Sequence, residues 1–488
     1  MSNKNLIFIF CLIINTIFCQ PIKDQLRWTF ELINHGARSP HKGLDSNFKD
    51  FSNHTWIGQN ELTGVGLRQS FLIGYRDRLR YIEEKELISK EYDPREILVY
   101  ASENNRTLIS ANALLHGLYP PGTGPTIDPS LVDRAVPPVD NSTYAEEKER
   151  LDNCNYTALP DRMNLIPVHI NFGHELFTQY ETSKKCKGLK TYEEKNKKSE
   201  KIVNFLKEMN SKYKNLEKIF PDKKDISLED YEFAYTFFVS LLCLNYDAAE
   251  EFEKIISILG MTGKEQEVIN DCKEFLFLNT VGSGIDNDKD FINYLVSPLF
   301  QKIISYMDLV IEKDSNGEID YRGYDLPKYY IISAVGNTCG SFMAFMHKYF
   351  NTKINFADFA TNIHLELYLE EKENGTITES DYRVEYFFND DFLLSIPYVE
   401  FKNKIQNELY NKSVITDFCK KDDNKDKDDD DTYWYMIGTF IGLGIIVVLI
   451  VIIIIVFRKR MKSKNEENDE FDDDNQNPLT RDTRASGE

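Results

Sequence analysis

The sequence predicts an α/β domain, a sheet with helices on both faces, carrying an inserted helical cap and followed by a single membrane-crossing helix near the C-terminus. Three features of the 488-residue chain predict it. Short apolar strands are each followed by a loop and a helix. A long Lys-, Glu- and Leu-rich stretch in the middle has helical periodicity. Trp434 to Phe457 is an apolar run without a charge.

The N-terminus reads as a secretory signal over residues 1–19: Lys4 precedes the apolar run Leu6 to Phe18, and Gln20 and Pro21 follow it. That run is short for a bilayer, so cleavage near Cys19 or Gln20 is expected. The next strand is Leu26 to Asn34, with Trp28, Phe30 and Leu32 on one face and Thr29, Glu31 and Ile33 on the other. Thr63 is placed to cap a helix reaching about Tyr81, whose stripe of Leu67, Phe71, Tyr75 and Leu79 is expected in the core. Ile97 to Ala101 reads as a strand and Arg106 to His116 as the helix after it; Tyr329 to Val335 and Thr338 to Tyr349 repeat the pattern. Between them, about residues 194–315 form the expected helical insertion, with Ile202, Phe205, Leu206 and Met209 at helical spacing.

The ends of the chain set its expected orientation. Tyr433, Trp434 and Tyr435 form an aromatic belt on one side of the C-terminal run, while Arg458, Lys459, Arg460, Lys462 and Lys464 mark the other side as cytoplasmic. Residues 20–419 are then the ectodomain, 420–432 an acidic stalk, 433–457 the span and 458–488 a disordered cytoplasmic tail. The sequons at Asn53, Asn141, Asn155, Asn374 and Asn411 all fall on the outer side. A sixth, at Asn105, is expected to be buried beside Arg106. Six cysteines remain after signal removal (Cys154, Cys186, Cys243, Cys272, Cys339 and Cys419), enough for up to three disulfides in an oxidising compartment. No CxxC or His/Cys cluster has zinc spacing, so no metal is expected. The net charge of −21 disfavours nucleic acid as a partner.

Ligands of open α/β sheets sit at the carboxyl ends of strands. The first strand ends in Asn34-His35-Gly36-Ala37-Arg38-Ser39-Pro40, and the second delivers Ser102 to Thr107 with Arg106 at a helix start. A basic residue there is poorly placed for the helix dipole unless an anion binds. These segments resemble the histidine acid phosphatases. The family's R-H-G-x-R-x-P stands here as N-H-G-A-R-S-P; Gly58 to Gly66 resembles its G-x-x-x-L-T-x-x-G segment; Ser102 to Leu108 with Tyr119-Pro120-Pro121 resembles S-x-x-x-R-T-L…PP; and Phe356 to Tyr368 resembles its late E-L-Y strand. The resemblance, over about residues 24 to 400, implies a phosphoglycerate mutase-like fold, a phosphomonoester ligand, no cofactor, and a homodimer as in other members. It implies His35 as the nucleophile that forms a phosphohistidine, with Arg38 and Arg106 holding phosphate oxygens. A C-terminal anchor resembles the lysosomal members and implies a lysosomal, endosomal or extracellular ectodomain.

Two departures touch the chemistry. Asn34 replaces the first motif arginine, offering a hydrogen bond without a charge. The segment Ser333-Ala334-Val335-Gly336-Asn337-Thr338 puts Val335 and Gly336 where the family has a phosphate-binding His and the acid that protonates the leaving group. Three functions are therefore open: an acid phosphatase, a pseudophosphatase that binds phosphate or phosphoesters without turnover, and a glycoprotein that uses the fold as a surface scaffold.

Overall fold

A computed structural model of the chain describes residues 24–40, 56–138, 141–170, 186–220, 225–282, 289–318, 326–370 and 376–420. The expected signal, membrane span and tail, and all of the stalk beyond Lys420, lie outside the described residues. Among those described, no helix is long and apolar enough to cross a membrane.

A mixed seven-stranded sheet, in the order β3-β2-β4-β1-β5-β6-β7, organises the domain. Its strands are β1 (Gln25–Asn34), β2 (Ile97–Ala101), β3 (His169–Ile170), β4 (Tyr329–Ala334), β5 (Asn362–Leu369), β6 (Tyr382–Phe388) and β7 (Asp391–Pro397). β1, β2, β3 and β4 run parallel, whereas β5 pairs antiparallel with the other edge of β1 and β6 and β7 continue as a meander. The carboxyl ends of β1, β2 and β4 therefore open at one edge of the sheet.

Both faces of β1 are buried, because alternate residues supply two different cores. Trp28, Phe30 and Leu32 pack with Tyr330, Ile332, Phe300 and Phe342 on one face. Leu26 and Ile33 pack with Val99, Leu114, Tyr329 and Ile331 on the other. Each large side chain so buried contributes about 1.5–3 kcal/mol. The first core is covered by α8 (Lys289–Ser315) and α9 (Gly336–Phe350), and the second by α1 (Gly64–Asp77) and α2 (Asn105–Leu118). Helices thus cover both faces. Between β3 and β4 run α3 (Lys187–Lys197), α4 (Glu200–Lys212), α5 (Tyr231–Asp247), α6 (Ala249–Ile258) and α7 (Glu265–Phe277), ahead of α8. α4 to α7 enclose a core of their own, in which Ile202, Phe205, Leu206 and Met209 meet Phe237, Phe238 and Phe275.

Two expectations need correction. The stripe on α1 is not core: Leu67 is 42%, Tyr75 45% and Leu79 48% exposed. The buried face is instead Gly66, Ser70, Ile73, Gly74 and Asp77. At Gly74 a β-carbon would stand 1.8 Å from the Leu114 carbonyl oxygen, so α1 meets α2 backbone to backbone through its small residues. Apolar spacing selected the wrong side because contact here depends on lack of bulk. The helix also gives way at Arg78–Glu84 to a wider π-type turn, which brings Tyr81 and Ile82 inside.

The cysteines form one disulfide among the described residues, Cys186–Cys419. Cys154 is an exposed thiol, and Cys243, Cys272 and Cys339 are buried thiols. The last three sit within apolar cores, Cys243 and Cys272 among the inserted helices and Cys339 beneath the sheet, where they pack as small apolar side chains.

Candidate active site

The loop after β1 is held from every side. His35 N–H donates to the Ala334 carbonyl (3.2 Å), and the His35 carbonyl accepts from Ala360 N–H (2.9 Å). Gly36 N–H donates to Ser110 Oγ (3.1 Å) and Ala37 N–H to Gln69 Oε1 (2.8 Å). Ser39 N–H reaches the Glu61 carbonyl (2.9 Å), and Thr63 N–H that of Ala37 (3.0 Å). Thr63 also caps α1, its Oγ1 accepting from Gly66 N–H at 3.2 Å. Such closeness demands glycine at position 36, where a β-carbon would lie 2.2 Å from the Gly66 carbonyl oxygen. Gly36→Ala is expected to lower stability by about 1–3 kcal/mol, the usual range for overpacking, and to displace His35. Chemical denaturation measures the first effect, and ligand affinity the second.

His35 is buried at the end of β1. Its Nδ1 lies 2.9 Å from the Gly36 carbonyl oxygen, which can only accept. Nδ1 therefore carries the proton, and Nε2 carries the lone pair. The ring stands 5.7 Å from that of Phe359. Arg38, also buried, donates from Nη1 to the Ser39 carbonyl at 2.9 Å, while its Nε has no partner. Among the described residues no carboxylate pairs with Arg38. Arg106 projects from the first turn of α2, its Nη1 bonded to Asn104 Oδ1 at 3.2 Å.

These three side chains line one cavity of about 320 Å³ with Asn34, Val335 and Gly336. The predicted site residues are thus brought together around one cavity. Asn34 spends its amide nitrogen on the carbonyls of Ala357 (3.2 Å) and Asp358 (2.7 Å), leaving Oδ1 buried and unbonded. It braces the loop before β5 and offers no donor to an anion. Val335 is the N-cap of α9, and its side chain cannot bond the helix; α2 likewise has no side-chain cap. Two helix N-termini, with their positive dipole ends, thus lie at the cavity with two guanidinium groups.

Asn105 is exposed and donates to Glu61 Oε1 at 3.2 Å, contrary to the expected burial of that sequon. Successive helical residues point about 100° apart, so Arg106 turns inward while its neighbour turns out.

Several lining residues are not among those the sequence singles out as site residues. Asn60, Asn104, Asn279, Thr280 and Asn337 supply polar groups; Tyr235, Val239, Leu242, Leu276, Phe356 and Phe359 make the apolar wall. Tyr235 arrives on α5, where it reads as one more core aromatic. Burial pushes its hydroxyl up against the opposing pull of Arg38 and Arg106, so it keeps its proton. Cys243 lies beneath Arg38, its Sγ 4.0 Å from Nη1, and burial raises the thiol to about 11. Among the described lining residues there is no Asp or Glu.

A buried His with an oriented lone pair, flanked by two arginines at the ends of parallel strands, coincides with a family signature. Residues 25–235 match the histidine phosphatase superfamily (branch 2). The matched region holds β1, β2, both arginines and His35. Lysosomal acid phosphatase of Xenopus laevis is 34% identical over 114 residues, covering 23% of this chain and 25% of that protein. Lysophosphatidic acid phosphatase type 6 of Mus musculus is 29% identical over 99 residues, covering 20% and 24%. The chain therefore spans about a quarter of the length of these curated relatives. Among solved structures, the phytase of Klebsiella sp ASR1 aligns with a TM-score of 0.45 at 14% identity, over 80% of this chain and 97% of that one.

Proposed function

We propose that the chain as a whole is a membrane-anchored histidine acid phosphatase-like protein whose cavity binds phosphate monoesters and turns over those with good leaving groups. One observation carries this reading: His35 Nε2, Arg38, Arg106 and two uncapped helix N-termini surround a cavity whose described lining contains no carboxylate. In the first step Nε2 attacks phosphorus, the ester P–O bond breaks, and the leaving oxygen departs with the bonding pair. In the second, water attacks phosphorus, the P–N bond breaks, and inorganic phosphate is released. The arginines and helix ends stabilise the charge on the equatorial oxygens in both steps.

What this site lacks is a proton for the leaving oxygen. Val335 and Gly336 stand where the resemblance places the phosphate-binding His and the acid, and a general acid is worth about 10²–10⁴ in rate. Aryl phosphates, whose oxygen leaves as a stable anion, escape that loss. The expected result is a kcat/KM for aryl over alkyl phosphates of at least about 10², measured from pH 4 to 7. Equal rates on both would sink the reading by showing that an acid is present. Binding without turnover is the second reading, favoured by the turned-away amide of Asn34. Trapping of ³²P-phosphohistidine on His35 separates the two.

An exocytoplasmic setting is part of the proposal. The apolar run 434–457 with its basic flank supports it, and so does the Cys186–Cys419 disulfide, which suits an oxidising compartment.

A further inference from the structure

On the face of the sheet covered by α1, three ionisable side chains from distant parts of the chain meet in the interior. Glu31 comes from β1, Asp77 from the last turn of α1 and His364 from β5; they are 0%, 1% and 2% exposed. One ligand atom from each lies within 4.8 Å of the others. We propose that Glu31, Asp77 and His364 bind a divalent transition-metal ion of the zinc type that ties β1, β5 and α1 together.

The donor atoms already have the required chemistry. Tyr81 donates its hydroxyl proton to Glu366 Oε1 at 2.7 Å, so its oxygen, 2.9 Å from His364 Nδ1, accepts the ring N–H. His364 Nε2 therefore carries a lone pair. It faces Glu31 Oε1 at 3.7 Å and Asp77 Oδ1 at 4.0 Å. Three electron-rich atoms thus point at one another. Glu31 Oε1 and Asp77 Oδ2 are buried with no hydrogen-bond partner, and unpaired buried carboxylates are strongly unfavourable. Burial holds both acids well above their ordinary range, which is the penalty that a cation between them would remove.

Size and charge agree with an ion. Zinc bonds of about 2.0–2.1 Å set tetrahedral donor–donor edges near 3.3–3.4 Å, so the 3.7 and 4.0 Å separations need to contract by roughly half an ångström. Two carboxylates and a neutral imidazole balance a 2+ charge. Arg76, the nearby cation that acts on all three groups, is engaged by Asp390. Asn362 Nδ2 lies 2.7 Å from His364 Nε2, and the amide turned over presents Oδ1 as a fourth ligand.

The surrounding shell holds the ligands as metal sites require. Tyr329 donates to Glu31 Oε2 at 2.5 Å, Tyr81 fixes the His364 ring, and Glu366, which orients Tyr81, is itself gripped by Arg80 and Tyr368. Oxygen and imidazole donors without sulfur suit first-row divalent ions, zinc and manganese among them. Glu31 precedes His35 by four residues, about 13 Å along an extended strand, so the ion braces the nucleophile's strand without touching substrate.

The test is metal analysis of the full chain, purified in mild detergent without chelator after growth with zinc and manganese. About one equivalent per chain is expected, with occupancy falling at least tenfold in Glu31→Gln and in Asp77→Asn. Chelation of the wild type should lower its melting temperature by several degrees, and added zinc should restore it; this arm needs no variant to fold. Less than about a tenth of an equivalent, a melting temperature indifferent to chelator and zinc, or metal retained in both variants as adventitious surface binding would each overturn the proposal.

Discussion

His35→Ala removes at least a thousandfold of the turnover of an aryl phosphate by the full chain while leaving inorganic phosphate bound. The expectation follows from the separation of roles in the cavity. In the proposed reaction His35 supplies the bond-forming lone pair, oriented by the Nδ1 bond to the Gly36 carbonyl. Binding in that proposal rests on Arg38, Arg106 and the first turns of α2 and α9, which line the same cavity and which the substitution does not touch. Loss of a nucleophile in a site that acts as a unit reaches about 10⁶ in well-studied hydrolases, so roughly 10³ is a conservative floor for a weakened one. Arg38→Ala should do the reverse in kind, weakening phosphate binding itself. Initial rates and phosphate titration calorimetry on the two variants make the comparison. Unchanged turnover in His35→Ala would remove the phosphohistidine route.

Supplying the acid that the proposed reaction lacks is the second large effect. The pair Val335→His and Gly336→Asp is expected to raise the rate on alkyl phosphates by about 10²–10⁴ and that on aryl phosphates much less. There is room for it: a β-carbon at Gly336 would meet the Ala357 carbonyl oxygen and Asn34 Nδ2 at 3.4 Å, an ordinary contact. Adding Asn34→Arg is harder, because that side chain braces the loop through Ala357 and Asp358. The double change is therefore the cleaner test. A gain equal on both substrate classes would show that the new residues act on binding rather than on proton transfer. No gain would show that Val335 and Gly336 do not occupy the acid's position.

Short apolar runs make β2 and β4 legible, and the alternation of Trp28, Phe30 and Leu32 with Thr29, Glu31 and Ile33 does the same for β1. The loop after β1 was legible through residue chemistry, since His35 and Arg38 in a Gly- and Pro-bearing turn at a strand end suggest an anion. Other features lay beyond one-dimensional pattern. Packing of α1 on α2 depends on the absence of bulk at Gly74, so the apolar stripe of Leu67, Tyr75 and Leu79 misdirected the reading of that helix. Tyr235 looked like any core aromatic until α5 was seen to cross the cavity. Asn34 lines the cavity, and only its two carbonyl partners show that its amide nitrogen is already engaged. Glu31, Asp77 and His364 are separated by too much chain for spacing to relate them, and the sheet register alone brings the first and third side by side.

The Cys186–Cys419 bond closes a ring across a sequence separation of 233 residues, from the start of the inserted helices to the last residue of the first compact unit. A single cut at any surface turn within that ring leaves two fragments joined, so a nicked molecule runs as one species until reductant is added. In the proposed membrane-anchored form, shedding of an intact domain requires a cut beyond Cys419, in the acidic stretch that follows it, and a protease acting within the ring would give two bands on a reducing gel without releasing any part of the native protein.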